Sequence, residues 1–158
     1  MTASPFVVCL VAFVILGSAL CIRRLVTLVE VNGSSMSPDF EHGDRLLVVR
    51  RGAFARLRRG RAVVIDRTAV NIPGETHTGR GLFVKRLVAL PGDRIPAPFA
   101  ALPAFRAARR VPHARYLVLG AHPASADSKQ WGYVRADDMC GVVIGRIGGS
   151  RSRSRGSD

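Results

Sequence analysis

The sequence predicts a mainly β fold, an all-β sandwich or barrel that follows a single N-terminal transmembrane helix. The chain opens with an uncharged apolar run, and short segments rich in Val, Ile and Leu come after it. Glycine, proline, aspartate and arginine separate these segments, as turn residues separate strands in β proteins. Because no long amphipathic helical pattern lies between them, an α/β arrangement is not indicated. With 158 residues, the chain has room for one domain of ordinary size.

The first element is the apolar run PFVVCLVAFVILGSALCI at residues 5–22, which Arg23 and Arg24 close. It reaches the lower limit of the roughly 17 to 25 residues that a helix needs to cross a bilayer. A buried core helix would have a polar face, and this run has none. A cleaved signal peptide is the rival interpretation, but the start MTASP carries no Lys or Arg. We therefore predict an uncleaved membrane anchor at residues 1–24.

The β-rich domain is predicted at residues 25–148. Its expected strands are the apolar segments 25–31, 44–50, 61–67, 82–90, 115–121 and 140–147. Two connections have the composition of loops, residues 68–81 and the stretch rich in Pro, Ala and Arg at residues 96–114. The final segment, residues 149–158, is basic and low in complexity, and we expect it to be disordered.

The chain is strongly basic, with 24 Lys and Arg residues against 11 Asp and Glu and a formal net charge of +13. Basic clusters lie at residues 48–61, 105–115 and 145–158. Such surfaces bind phosphate, either in nucleic acid or in anionic lipid headgroups. No helix-turn-helix, zinc-finger spacing or aromatic stacking motif accompanies the charge, so we expect anionic membrane lipids rather than nucleic acid as partners. A codon bias towards arginine on a solvated surface is the alternative.

The cysteines and histidines indicate neither a disulfide nor a metal site. Cys9 and Cys21 lie in the apolar run, and Cys140 is alone in the rest of the chain, so no disulfide can form within the domain. We expect Cys140 to be a small buried apolar residue. No pair of His or Cys has the spacing of metal ligands, and no metal or cofactor is expected.

Residues 30–44, EVNGSSMSPDFEHGD, contain Ser34, Ser35 and Ser37 between two apolar segments. A serine hydroxyl is a poor nucleophile until a neighbouring base removes its proton. The histidines are scattered, at positions 42, 77, 113 and 122, and none stands in a recognisable motif. Local sequence alone does not distinguish the three serines.

Lysine is the alternative base, and the chain has lysines at Lys85 and Lys129. Lys129 lies in a polar segment, whereas Lys85 lies at the centre of the apolar segment LFVKRLVAL. Burial of an ammonium group lowers its pKa, and a neutral amine in a dry pocket can act as a general base. Alternation along a strand puts Phe83, Lys85 and Leu87 on one face. The alternative is that Lys85 extends from an edge strand into water.

Several segments resemble the sequence boxes of the type I signal peptidases. VNGSSMSPDFEHGDRLLVVR is similar to the nucleophile box, a Gly-x-Ser-Met-x-Pro core that leads to Gly-Asp and a strand. FVKRLVALPGDRI resembles the second box, a Lys-Arg pair before a Leu-Pro-Gly-Asp turn, and LRRGRAVVIDR is similar to the strand between the two. YLVLGAHPASADSKQWGYV resembles a degraded last box. The likeness spans residues 5–147 and implies a divergent, actinobacterial-type member with the all-β Ser-Lys protease fold.

The resemblance implies a Ser-Lys dyad. Ser35, which precedes Met36, takes the position of the nucleophile, and Lys85 takes that of the general base. The backbone N–H of Ser35 then contributes to the oxyanion hole. Gly33 stands where some relatives place a hydroxyl group that helps to hold the oxyanion.

The last box implies residues that orient the lysine. Ser125 matches the family's orienting hydroxyl, Asp127 matches the carboxylate beneath it, and Lys129 stands where the family has an arginine paired with that carboxylate. The family's Gly-Asp-Asn-Arg-Asp has become Gly-Ala-His-Pro-Ala, so an acidic residue and an amide that brace the site are missing. Lysine also replaces a two-pronged contact with a single-point one.

The implied activity is that of a membrane-bound serine endopeptidase that removes signal peptides from exported precursor proteins and cuts after small residues. Apolar pockets lined by Val31, Met36 and Val84 are expected to accept those residues. The family places its catalytic domain on the extracytoplasmic side, whereas Arg23 and Arg24 taken alone predict the cytoplasmic side.

Two alternatives to an active signal peptidase stay open. The first is a catalytically weak or inactive relative that acts as a membrane-anchored peptide- or lipid-binding module, which the degraded last box favours. The second is a Ser-Lys self-cleaving repressor. The apolar span and the lack of a DNA-reading helix both speak against the repressor.

Overall fold

The computed structural model describes residues 5–50, 52, 57–70 and 81–148, which form one long helix followed by an antiparallel sheet. In chain order the elements are α1 (Pro5–Leu25), β1 (Val26–Glu30), β2 (Arg45–Arg50), β3 (Ala62–Asp66), β4 (Leu82–Ala89), α2 (Ala97–Ala100), β5 (Arg115–Leu119), α3 (Ser128–Trp131), β6 (Val134–Arg135) and β7 (Met139–Arg146). The predicted fold class, mainly β behind a single N-terminal apolar helix, is confirmed. The predicted tail at 149–158, His77 and most of the predicted loop at 68–81 lie outside the described residues.

Helix α1 has the composition of a membrane span. Within the described part of the chain it is the one helix long and apolar enough to cross a bilayer, and none of its residues is buried against the domain. Arg23 and Arg24 lie in its last turn, where positive charge interacts favourably with the helix dipole. The sheet follows at once, because β1 begins at Val26.

The sheet has the strand order β1-β2-β7-β3-β4-β5-β6, and every pairing in it is antiparallel. Each predicted strand appears, with ends shifted by one or two residues. Strand β6 was not predicted, because two residues are too few to produce a periodic pattern.

Both faces of the central strand β3 are covered. Ala62 and Val64 belong to one apolar cluster, and Val63 and Ile65 belong to another, so successive side chains enter opposite layers of the core. Register pairs Val63 with Lys85 on β4. Since paired residues share a face of the sheet, Lys85 enters the same layer as Val63.

The stretch at residues 96–114, predicted to be a loop, forms a packed unit. It contains the short helix α2 and a 3₁₀ turn at Pro103–Phe105. Phe99 and Phe105 are buried in a third apolar cluster, which also contains residues of the paired strands β4 and β5. Their rings pack edge to face. Their burial explains why a segment with little regular structure keeps a defined path.

The prediction that Cys140 is buried is wrong: its side chain is exposed. In β7 the neighbours Met139 and Gly141 face the core, so alternation turns Cys140 outwards. Gly141 is packed tightly, since a Cβ there would lie 2.4 Å from the carbonyl oxygen of Val49. The absence of that side chain lets β2 and β7 approach.

Candidate active site

Lys85 is fully buried, with 1% of its surface exposed, although it carries an ionisable amine. It lies on β4, and its Nζ is 5.5 Å from the ring centre of Phe83 and 5.8 Å from that of Trp131. The alternative in which Lys85 extends into water is therefore wrong. The expectation that Phe83, Lys85 and Leu87 share a face agrees with the structure, since Phe83 and Leu87 pack in one cluster.

The amine of Lys85 has a polar partner within this apolar surrounding. Its Nζ donates a hydrogen bond to Ser125 Oγ at 2.6 Å. Burial lowers the pKa of Lys85 from 10.5 to about 8, although the negative charge of Asp127 acts in the opposite direction. A group with such a pKa is neutral in about one molecule in ten at pH 7. Lys85 is thus able to accept a proton near neutral pH.

Ser125 is fixed by the backbone around it. Its side chain is 4% exposed, and its N–H donates to the carbonyl oxygen of His122 at 3.0 Å. Gly120 lies against it, because a Cβ at that position would be 1.9 Å from Ser125 Oγ and 2.8 Å from the carbonyl oxygen of Ser35. Only glycine fits between these two serines without moving one of them.

Among the three serines of the 30–44 segment, Ser35 is the one whose backbone bonds to the loop that carries Ser125. Its carbonyl oxygen accepts the N–H of Ala121 at 3.0 Å and that of His122 at 3.2 Å. Ser34 accepts a turn hydrogen bond from the N–H of Ser37 at 3.0 Å. Ser35 therefore lies next to Ser125, which in turn contacts Lys85.

The N–H of Ser35 donates to no acceptor within the described residues. Its side chain is half-buried, whereas the following residue, Met36, is 1% exposed. An unused backbone donor beside a serine hydroxyl has the form that an oxyanion hole requires.

The family comparison joins these residues to a known class of protein. The model for the signal peptidase family, peptidase S26, matches residues 4–100 and 96–147, which together make up most of the chain. The chain belongs to the signal peptidase family, peptidase S26. A signal peptidase I from Enterococcus faecalis V583 is a similar solved structure, with 18% identity, a TM-score of 0.43, and coverage of 57% of this chain and 98% of that one. No curated protein matches the chain.

A buried carboxylate holds the ends of the 30–44 segment together. Asp44 is 3% exposed and accepts hydrogen bonds from the N–H of Glu41 and from Arg146 Nη1, both at 3.0 Å. These partners, the Glu41 amide first, hold the pKa of Asp44 below its usual value. The N–H of Val31 donates to the carbonyl oxygen of Asp44 at 2.9 Å. The Asp44–Arg146 pair was not predicted, although Asp44 is the aspartate of the first box.

Asp127 and Lys129 lie side by side at the start of α3, and Asp127 is the centre of the local hydrogen bonds. The Asp127 side chain is fully buried and accepts the N–H groups of Lys129 at 2.9 Å and of Gly120 at 3.3 Å. Its own N–H donates to Gln130 Oε1, which completes a capping box at the start of α3. Lys129 Nζ is 3.5 Å from Asp127 Oδ2, and its side chain is 37% exposed, so this ion pair contributes little.

In the divergent part of the last box, His122 forms hydrogen bonds that stabilise the loop. The side chain of His122 accepts the N–H of Ala124 through Nδ1 at 3.2 Å. The backbone of His122 bonds to Ser35 on one side and to Ser125 on the other. Sequence reasoning assigned His122 no particular role, because its contribution runs mainly through backbone atoms.

The residues predicted to line substrate pockets, Val31, Met36 and Val84, lie together in one core cluster with exposures of 5%, 1% and 7%. They therefore form a floor rather than an accessible wall. Phe40 and Ala121 are partly buried and pack against the same cluster. These two side chains keep part of the apolar surface accessible, and Ala121 lies beside Ser35, because its N–H donates to the Ser35 carbonyl oxygen.

Proposed function

We propose that this member of the family is a membrane-bound serine endopeptidase that removes signal peptides from exported precursor proteins through a dyad of Ser35 and Lys85. The observation that carries the proposal is the buried amine of Lys85, 2.6 Å from Ser125 Oγ and with a pKa lowered to about 8. Ser35 lies beside Ser125 through the bonds of its carbonyl oxygen to the same loop. An amine that can act as a base and a serine hydroxyl therefore lie in the same part of the fold.

The reaction proceeds in two halves. Neutral Lys85 takes the proton of Ser35 Oγ while that oxygen attacks the carbonyl carbon of the scissile bond. The protonated amine then gives this proton to the departing nitrogen, which leaves an acyl-enzyme on Ser35. In the second half, Lys85 takes a proton from water, the hydroxide attacks the ester, and the proton returns to Ser35 Oγ.

The residues around the dyad hold these two groups in position. Ser125 fixes the direction of the Lys85 amine, and Asp127 fixes the loop that carries Ser125 through its bond to Gly120. Lys129 partly balances the charge of Asp127 from the surface. The unused N–H of Ser35 stabilises the negative oxygen of the tetrahedral intermediate.

The substrate binds as an extended segment beside Ser35, with its backbone supplying affinity. We expect the apolar floor of Val31, Met36 and Val84, together with Phe40 and Ala121, to accept small side chains. Cleavage therefore follows small residues at the first and third positions before the cut, in the manner of Ala-x-Ala. No metal or cofactor takes part in this mechanism.

Helix α1 anchors the enzyme in the cytoplasmic membrane, and the domain acts on the extracytoplasmic side, where exported precursors emerge. Arg23 and Arg24 oppose this orientation, since basic residues at the end of a span favour the cytoplasmic side. We give more weight to the location of the exported precursors than to this charge preference, which is only statistical. Anionic lipids are the expected partners of the arginine-rich surface.

Cleavage of a precursor with an Ala-x-Ala site by full-length protein in detergent micelles tests the proposal. Mass spectrometry of the products identifies the cut. We expect cleavage by the wild type, none by Ser35→Ala or Lys85→Ala, and cleavage close to wild type by Ser34→Ala, the matched control on the neighbouring exposed serine. Cleavage retained in Ser35→Ala contradicts the site, and wild type as inert as both variants on several precursors favours the peptide- or lipid-binding alternative.

A further inference from the structure

A cleft of about 660 Å³ lies between the turn after β4 and the 96–114 segment, away from the dyad. Its charged lining consists of four arginines, Arg94, Arg106, Arg109 and Arg110, and contains no acidic residue. Its volume lies within the range of small-molecule sites. We call it the arginine cleft.

Backbone pairing places two of these arginines opposite one another. An isolated antiparallel bridge pairs Arg94 with Arg110, and the N–H of Ile95 donates to the carbonyl oxygen of Arg109 at 3.3 Å. Side chains of residues paired in this way leave the same face, and like charges placed opposite one another repel. An anion between the two guanidinium groups removes that repulsion.

Most of this positive charge is not neutralised by the protein. In the described portion of the chain, the side chains of Arg94, Arg106 and Arg109 form no ion pair or hydrogen bond, and all three are exposed. Arg110 Nη1 donates to the carbonyl oxygen of Gly92 at 2.7 Å.

The adjacent acidic residue, Asp93, is already engaged by other groups. It forms an ion pair with Arg59, and it also accepts the N–H of Leu90 at 2.7 Å. The charge of Asp93 also interacts with that of Arg110. The arginines of the cleft without a partner among the described residues are therefore Arg94, Arg106 and Arg109.

We propose that the arginine cleft is a phosphate-binding site whose ligand is the headgroup of an anionic phospholipid. Guanidinium groups bind phosphate oxygens in a two-pronged manner, and converging arginines suit a phosphodiester. Ile95, Ala100, Phe105 and Ala108 add apolar groups to the lining. An amphipathic lipid has apolar atoms to place against them, whereas a free phosphate ion has none. This inference rests on the membrane anchoring in the proposed function, which keeps a phosphate-rich surface at high local concentration.

Nucleic acid fits the cleft less well. Single strands bind through stacking of bases on exposed aromatic rings. Phe99 and Phe105, the aromatic rings of this segment, are 0% and 1% exposed and offer no stacking face. The cleft therefore has the charge of a nucleic-acid site without its second component.

Photolabelling of the full-length protein in neutral detergent micelles tests the site. The probe is a phosphatidylglycerol with a photoreactive group in its headgroup, and labelled peptides are mapped by mass spectrometry. We expect saturable labelling centred on residues 94–110. The double variant Arg94→Gln/Arg109→Gln should weaken it at least about tenfold.

The control variant Arg45→Gln/Arg50→Gln removes the same charge from exposed arginines of β2. It should leave the labelling at 94–110 unchanged. An equal loss in both double variants, or labelling spread evenly over all arginine clusters, overturns the proposal in favour of general surface charge. In micelles without the probe lipid, Arg94→Gln/Arg109→Gln should unfold at the same temperature as the wild type or at a higher one, because the substitutions relieve repulsion between arginines. The same measurement shows that the variant is folded.

Competition separates the possible sources of phosphate. Inorganic phosphate at the concentration of the lipid should leave the labelling intact, and so should a single-stranded oligonucleotide. Displacement by inorganic phosphate at that concentration assigns the site to a free ion, and displacement by the oligonucleotide assigns it to nucleic acid; either result overturns the lipid. Because this experiment measures labelling and not cleavage, a failure of the lipid-site proposal can be distinguished from a failure of the proposed peptidase activity.

Discussion

The region around Lys85 and the region around Lys129 contain the two lysines of the chain and share one carboxylate, that of Asp127. Lys129 Nζ lies 3.5 Å from that carboxylate and its side chain is 37% exposed, whereas Lys85 is 1% exposed and contacts a hydroxyl group. At Lys85 the loss of water outweighs the attraction of Asp127, and the pKa falls. Burial, rather than the presence of a counter-charge, therefore determines which lysine can act as a base.

Replacement of each lysine by methionine gives the largest expected contrast. Lys85→Met should lower kcat/KM for a precursor peptide at least about 1,000-fold, because the serine loses its base. Lys129→Met should lower it less than about tenfold, because an exposed ion pair contributes little. Equal losses in the two variants would contradict the difference between the regions.

Gly120→Ala tests the packing between the two serines. The new Cβ would displace Ser125 Oγ and press on the carbonyl oxygen of Ser35, so we expect a loss of about 10- to 100-fold in kcat with a smaller change in KM. Gly145→Ala is the matched control, since a Cβ there meets nothing within 4 Å. Near wild-type activity in Gly120→Ala would mean that the position of Ser125 does not matter.

Substitution of His122 tests how much the divergent last box stabilises the position of the loop beside Lys85. His122→Ala removes the acceptor of the Ala124 N–H and keeps the backbone bonds to Ser35 and Ser125, so we expect a loss of only about two- to tenfold. His122→Asn should restore most of it, because an asparagine oxygen accepts an N–H two residues ahead. A loss in Asn as large as in Ala would exclude this brace.

The buried amine also makes stability depend on pH. Unfolded Lys85 binds its proton up to a pKa of 10.5 and the folded state releases it near 8, so between these values the unfolded chain holds more protons. Stability contributed by Lys85 should therefore rise with pH across this window, by about 1 to 3 kcal/mol in all, and stay constant below it. Denaturant unfolding of the wild type and of Lys85→Met at pH 7 and pH 10 measures the effect; parallel changes in both proteins would refute it.

Most of the sheet could be predicted from the sequence, because runs of Val, Ile and Leu between turn residues indicate strands directly. The packed stretch at 96–114 could not, since Phe99 and Phe105 are buried by tertiary contacts that leave no periodic pattern. The orientation of Cys140 was also hidden, because a one-residue choice of register decides which face it takes.

The candidate site divides in the same way. Lys85 was found from a charge in an apolar strand, a local signal. The contacts of His122 and the Asp44–Arg146 pair join residues distant in sequence, and their polar character alone does not reveal them. The Ser35 assignment needed the family resemblance and stays a prediction; the hydrogen bonds of its carbonyl oxygen show only that it lies beside the loop of Ser125.

The most direct test of the dyad is the pKa of Lys85 itself. With two lysines in the chain, full-length protein labelled with ¹³C at lysine Cε gives two resonances, and Lys85→Met identifies one of them. We predict that the resonance of Lys85 titrates near pH 8. If the Lys85 resonance instead titrates above about pH 10, as in an exposed lysine, fewer than about one amine in a thousand is neutral at pH 7, and Lys85 is too rarely neutral to act as the base for Ser35.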